Sequence, residues 1–262
     1  MIDFDELYRQ FAASERLAGL VSSVLDPLLP AEVQPFSFVT TDLLHDVARA
    51  ADLVAGEVLV DVGCGRGGPG MWLARRTDTN LIGVDVSAVA VAQARSRAPR
   101  FALAGRADFR VGELDATGLP DGIADAVVSI DAFQFAGNPY VAGREFARIL
   151  SPGGRLVLTT WEARQSGDPE VPAMLARLDV AAALSAAGFD VVVHERPDLE
   201  ERRRAVLEAV LAVPADGDPA VRMYQEEARA ALPEMPRLRR VMAVARLPGP
   251  GSAAPLPGSG PG

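Results

Sequence analysis

Val58-Leu59-Val60-Asp61-Val62-Gly63-Cys64-Gly65-Arg66-Gly67-Gly68-Pro69 is the stretch that decides the fold. An apolar run ends in a carboxylate, glycines crowd the next turn, and a proline stands where a helix would begin. A continuous apolar run suits a strand covered on both faces. Glycine permits positive φ and close approach of backbone to a ligand, proline suits a first helical turn, and a helix start leaves N–H groups free for a guest. The segment therefore reads as a strand, a ligand-cradling turn and a helix. Gly63, Gly65 and Gly68 also satisfy G-x-G-x-x-G, a dinucleotide pattern that is weakly specific by itself. Asp61 shifts the reading, because a carboxylate at that point disfavours a pyrophosphate and welcomes a ligand with a cationic amino group.

Working outward, Leu81–Asp85, Phe109–Val111, Ala126–Ile130 and Arg155–Thr160 are further candidate strands. Helical patterns cover about Pro69–Arg76, Ser87–Ala98 and Tyr140–Leu150. This alternation predicts an α/β fold with a doubly wound, mostly parallel sheet and right-handed crossovers, with ligands bound beyond the carboxyl ends of the strands. Two late strand candidates follow, Phe189–His194 and Arg240–Ala245, separated by two charged amphipathic helices over Pro197–Pro236. Residues 1–55 also read as helices, broken near Asp26-Pro27 and around Pro30–Phe36. Neither flank completes a core of its own, so both are expected to lie over the sheet as helical cap segments. One domain is expected over residues 1–247, with its ligand-binding core at 56–161 and an insertion or lid at 197–236. Residues 248–262, nearly all Pro, Gly, Ser and Ala, read as a disordered tail.

Bulk properties exclude several functions. The chain has 262 residues and a formal net charge of −9, and every basic residue is arginine. Arg202-Arg203-Arg204 follows Glu200-Glu201 and reads as a solvated helix face, so no nucleic-acid partner is expected. The single cysteine, Cys64, rules out an intramolecular disulfide framework and a thiolate zinc cluster. No cationic and apolar leader opens the chain, and no uninterrupted apolar stretch approaches a membrane span. A cytoplasmic protein without a membrane partner is the expectation.

Further motifs carry chemistry. Gly83-Val84-Asp85-Val86-Ser87 places an acid at the end of the second strand, where a carboxylate can accept both hydroxyls of a ribose. Asp85 could instead cap the next helix, but Ser87 is the better placed cap. Val111 to Pro120, containing Asp115, follows the third strand; Ser129 and Asp131 end the fourth; Ile149 to Leu156 turns from a helix into the fifth.

In this order and spacing the motifs resemble those of class I S-adenosylmethionine-dependent methyltransferases, over roughly residues 40–247, and most nearly the actinobacterial small-molecule enzymes of specialised metabolism. The resemblance implies a Rossmann-like seven-stranded sheet ending in an antiparallel hairpin. It also implies S-adenosylmethionine as cofactor and S-adenosylhomocysteine as product. Asp61, Gly63, Cys64, Gly65 and Gly67 would surround the methionine part, and Asp85 would bind the ribose. Val86 would pack on the adenine, Asp115 would receive the adenine amino group with Ala116 beside it, and Ser129 would line the cofactor floor.

For a pre-activated sulfonium donor the protein's main task is alignment in a dry site, and a hydroxyl acceptor adds the need for a base. Asp131 is the preferred candidate for acceptor contact or base, with helix capping as its alternative. His45 could face the pocket or simply lie on a helix surface, and His194 reads as structural. Phe133, Gln134, Phe135 and Tyr140 are expected on the acceptor side, although aromatics at this spacing are also common core residues. Asn138-Pro139-Tyr140 has one proline too few, and lies too far past the strand, to be an N/D-P-P-Y methylation motif. No Asp-Asn pair for magnesium follows, so no metal is expected. Four functions remain in view: methylation of a small, fairly apolar acceptor at O or N in natural-product biosynthesis; cofactor-dependent cyclisation or rearrangement without methyl transfer; a non-catalytic binding subunit; and a nicotinamide oxidoreductase, which Asp61 and the late hairpin disfavour.

Overall fold

β1 (Val58–Val62) is the strand around which the sheet is organised in the computed structural model, which describes residues 3–34 and 37–249. β2 (Asn80–Asp85) pairs parallel on one side of it and β4 (Ala124–Ile130) parallel on the other. β3 (Ala107–Val111) lies outside β2, and β5 (Leu150–Ala163) lies outside β4. The order is β3-β2-β1-β4-β5-β7-β6, with β7 (Leu238–Arg246) running antiparallel between β5 and the edge strand β6 (Asp190–Glu195). The sheet is therefore the doubly wound, mostly parallel, seven-stranded one expected. Strand order reverses between β1 and β4, which opens the ligand crevice at their carboxyl ends. β5 starts earlier than its apolar run, because Leu150 pairs with Ala124 ahead of a register shift.

Local chemistry sets the helix starts. Ser87 caps α5 (Ala88–Arg97), accepting from the Ala90 N–H at 3.0 Å. Asn138 caps α6 (Pro139–Ile149), accepting from Tyr140 at 2.9 Å, so Asn138-Pro139-Tyr140 is a helix start. Thr40 caps α3 (Thr41–Ala51), and α4 (Gly68–Thr77) begins directly from the glycine turn. Leu43, Leu44, Met71, Leu73, Phe101 and Phe109 fill one side of the sheet; Phe133, Phe146, Ile149, Leu158 and Leu184 fill the other. Two short helices that periodicity does not reveal, α7 (Ala173–Ala176) and α8 (Val180–Ala186), carry the chain from β5 to β6.

The flanks join each other. α2 (Glu15–Leu25), α9 (Pro197–Ala212) and α10 (Pro219–Glu234) bring Leu17, Leu25, Val206, Val210 and Val221 into one buried cluster with Trp161, and α1 (Phe4–Ala13) lies beside α2 and α10. Ser14 donates to Asp218 at 2.6 Å and Arg202 donates to the Leu25 carbonyl at 2.6 Å. Neither flank is sufficient alone, yet together they complete a core beside the sheet. Of the expected break around Pro30–Phe36, Pro35 and Phe36 lie outside the described residues, as does most of the tail, residues 250–262. Among the described residues no helix is long and apolar enough to cross a membrane.

Phe146 is fully buried and its ring stands 5.8 Å from that of Phe133. Phe146→Ala is expected to lower the unfolding free energy by about 3–5 kcal/mol in urea titration, whereas exposed Val192→Thr shifts it by less than about 0.5 kcal/mol.

Candidate functional site

The site grows from the turn between β1 and α4. Gly65 lies at φ 51°, and a Cβ there would come within 2.5 Å of the Tyr8 hydroxyl. Gly63 lies at φ 76°, and a Cβ there would collide with the side chain of Ala132, just beyond β4. Glycine is required at both places by conformation and by close approach. The turn is thus pressed between α1 on one side and the end of β4 on the other.

Asp85, at the end of β2, braces this turn. One carboxylate oxygen accepts from the Gly65 N–H at 2.7 Å and the other from the Ser87 N–H at 2.9 Å. Burial still pushes its carboxyl above the usual range, against the pull of those two hydrogen bonds. Asp61 is buried more deeply. Burial first, and then the neighbouring Asp85 charge, push its carboxyl up to about 7, although the Gly70 N–H donates to it. The same surroundings raise the Cys64 thiol. Among the described residues no cation lies within ion-pairing distance of Asp61 or Asp85. Two buried carboxylates without a counter-ion form a site that is electrostatically incomplete until a cation enters.

α1 covers this turn, which residue periodicity did not reveal. Asp5 accepts from the Ser87 hydroxyl at 2.5 Å and from the Val89 N–H at 3.3 Å, and those bonds hold its carboxyl below the usual range. Phe4 meets Phe135 edge-on at 5.3 Å. Tyr8 is buried, and its hydroxyl is held well above its ordinary pKa by burial and by Asp85, Cys64 and Asp61. Only a helical pattern was legible over residues 1–55, and it does not say which aromatic faces the site.

Asp131 follows β4 at φ 58°, a conformation that Asp tolerates better than most side chains. Its carboxylate forms an ion pair with Arg240, which is fully buried on β7, and accepts from the Thr159 hydroxyl at 3.1 Å and the Phe38 N–H at 3.3 Å. Arg240 also donates to Thr159 at 3.0 Å. Sequence reasoning missed Arg240; the available signal was an arginine opening an otherwise apolar strand.

The other expected residues are dispersed. Val86 is exposed beside Asp85, Ala116 is exposed in the turn after β3, and Asp115 in that turn faces Gly137. Ser129 is fully buried and its hydroxyl has no partner among the described residues. Gln134 accepts from Thr160 at 2.6 Å and donates to the Asp131 carbonyl at 2.9 Å, which places it beside Asp131. Phe135 and Tyr140 are partly exposed. Two further expected residues lie apart from that group. Phe133 is a fully buried core residue against Phe146, because the turn after β4 directs its ring under α6. His45 packs against Trp72 with ring centroids 5.3 Å apart, at the contact of α3 with α4, and is not among the groups bonded to Asp131.

A family model described as a methyltransferase domain matches residues 60–158. The methyltransferase GfsG of Streptomyces halstedii is 30% identical over 197 residues, covering 70% of this chain and 69% of that protein. This chain belongs to the class I S-adenosylmethionine-dependent methyltransferases. The sterol 24-C-methyltransferase ERG6 of Saccharomyces cerevisiae is 30% identical over 168 residues, 58% of this chain and 44% of that protein, so the methyltransferase spans about half the length of this relative. The crystal structure of the [4+2]-cyclase SpnF matches with a TM-score of 0.65 and 28% identity, covering 79% of this methyltransferase and 80% of that chain. S-adenosylmethionine is the cofactor of the family, and its positive charge suits a site that holds two buried carboxylates without an ion-pair partner among the described residues.

Gly65→Val tests the cradle. The added side chain meets Tyr8 and requires a strained φ, so affinity for S-adenosylhomocysteine is expected to fall at least about tenfold by calorimetry, with the thermal midpoint moving much less.

Proposed function

We propose that this enzyme methylates oxygen or nitrogen on a small, fairly apolar acceptor in natural-product biosynthesis, acting in the cytoplasm. The observation that carries the reading is the junction of the two halves of the site. Ala132 abuts Gly63 of the cofactor turn, and its neighbour Asp131 reaches into a buried group formed by Arg240, Thr159 and Phe38. Cofactor side and acceptor side are therefore adjacent, and the joined flanks cover the second. The net charge of −9 argues against a polyanionic partner, and the likeness to the 27-O-demethylrifamycin SV methyltransferase of Amycolatopsis mediterranei supports the natural-product assignment.

In this reading Asp61 and the backbone of Gly63, Cys64, Gly65 and Gly67 hold the methionine part. Asp85 takes the ribose hydroxyls, Val86 covers the adenine, Asp115 and Ala116 meet its amino group, and Ser129 forms the floor. Bound there, S-adenosylmethionine supplies an electrophilic methyl group on sulfur. Tyr8 and α1 exclude water above Gly65, which strengthens the Coulombic interactions beneath them. Asp131 contributes through orientation more than through proton abstraction, since its oxygens already accept from Arg240, Thr159 and Phe38. Such a site favours acceptors whose nucleophilic atom needs little deprotonation, such as a neutral amine or an acidic enol or phenol.

A second reading keeps the cofactor without methyl transfer. It is favoured by the engagement of Asp131 and by the likeness to SpnF, which is a [4+2]-cyclase. Incubation with methyl-labelled cofactor and candidate polyketide or phenolic acceptors separates the two. We expect label in the product together with stoichiometric S-adenosylhomocysteine. An unlabelled rearranged product would contradict methyl transfer and establish the second reading.

A further inference from the structure

Arg240 is over-supplied for the role of a structural partner to Asp131. Its Nη2 serves both Asp131 and Thr159, yet Nε and Nη1 have no hydrogen-bond partner among the described residues although the side chain is fully buried. Buried donors are almost always paired, and one left open is destabilising. A pairing role alone asks only for the Nη2 contacts to Asp131 and Thr159 and leaves the other donors of Arg240 unused. Burial also disfavours its charge, and the nearby Arg203 and Arg196 cations add to that.

A second arginine shares the same wall. Arg203 on α9 stands 4.6 Å from the centroid of the Trp161 ring and 5.3 Å from that of Phe38, while Arg240 lies 5.4 Å from the same Trp161 ring. Arg203 makes no ion pair among the described residues, and its Nε is buried without a partner. The acidic groups that face it are Asp131, Glu227 and Glu234, with the Tyr224 hydroxyl, and none of them pairs with it directly. Only Asp131 is neutralised, and it is neutralised by Arg240. The result is two guanidinium groups with open donors around one indole and one phenyl ring, linked toward the cofactor turn through Asp131, the partner of Arg240 and the chain neighbour of Ala132.

We infer that Arg240 and Arg203 form an oxyanion-recognition site for the acceptor, which is a flat, unsaturated molecule carrying a carboxylate or enolate-type oxygen. The oxyanion fills the open donors of Arg240, and the flat body lies against the face of the Arg203 guanidinium turned away from Trp161 and Phe38. Guanidinium groups suit this role because they remain charged when buried, bind planar oxyanions and stack on aromatic faces. This inference rests on the methyltransferase reading of the acceptor side and narrows the acceptor beyond it. Recognition of a polar group by buried donors also discriminates strongly against analogues that lack it.

The test uses 2-naphthoate and its uncharged isostere 2-naphthamide, titrated into the full chain saturated with S-adenosylhomocysteine, with tryptophan fluorescence and calorimetry as readouts. Naphthoate is expected to bind at least about tenfold more tightly than naphthamide, and to quench Trp161. Arg240→Met should abolish that preference while S-adenosylhomocysteine still binds. Because that variant leaves Asp131 buried without its partner, Arg203→Met, which breaks no ion pair, is measured in parallel and should reduce the preference several-fold. Equal affinity of the two probes, no saturable binding of naphthoate, or a preference untouched by both substitutions overturns the inference. Loss of S-adenosylhomocysteine binding by the unmodified chain would instead strike the cofactor site, so the two failures are distinguishable.

Discussion

Two carboxylates buried without a counter-ion, Asp61 and Asp85, are the constraint on which the site depends. Asp61 is next to last in β1 and Asp85 is last in β2, and the strand register brings them together: Asp61 pairs with Gly83 and Val62 with Val84, just before Asp85. The glycine turn must then fold tightly enough to give its Gly65 N–H to Asp85. α4 must start where the Gly70 N–H reaches Asp61. α1 must lie where Tyr8 seals the pair from water. A fold that concentrates negative charge in this way loses stability by doing so, and regains it when a cationic ligand binds.

The acceptor side is the electrostatic converse. There Arg240 and Arg203 bring more guanidinium donors than Asp131 and Thr159 can occupy. The two halves meet through Ala132 against Gly63. A cation is favoured on one side of that contact and an oxyanion on the other, which is the arrangement needed to bring an electrophilic group and an electron-rich acceptor face to face.

How much was legible in the sequence follows from which interactions are local. The parallel strands, the glycine turn, Ser87 as cap and the acids at the strand ends all derive from short-range patterning, and the structure reproduces them. The joining of α2 with α9 and α10 was not readable, because each flank carries only half of an apolar interface and its partner lies far along the chain. Tyr8 escaped notice for the same reason. Phe133 was ambiguous because one turn of backbone decides whether an aromatic faces a pocket or the core. Arg240 lay inside a strand already identified, yet its burial depends on α9 and Trp161, which strand periodicity cannot show.

Proton release on cofactor binding tests the account most directly, because it reports on Asp61 itself. Its carboxyl, pushed up to about 7 in the free protein, is protonated at pH 6 and must ionise to receive a cation. Calorimetric titration with S-adenosylhomocysteine in buffers of different ionisation enthalpy is predicted to show close to one proton released at pH 6 and close to none at pH 8.5, with Asp61→Asn abolishing the release. Binding at pH 6 without proton release, or release that persists in Asp61→Asn, would contradict the claim that this buried acid is built for a cationic ligand.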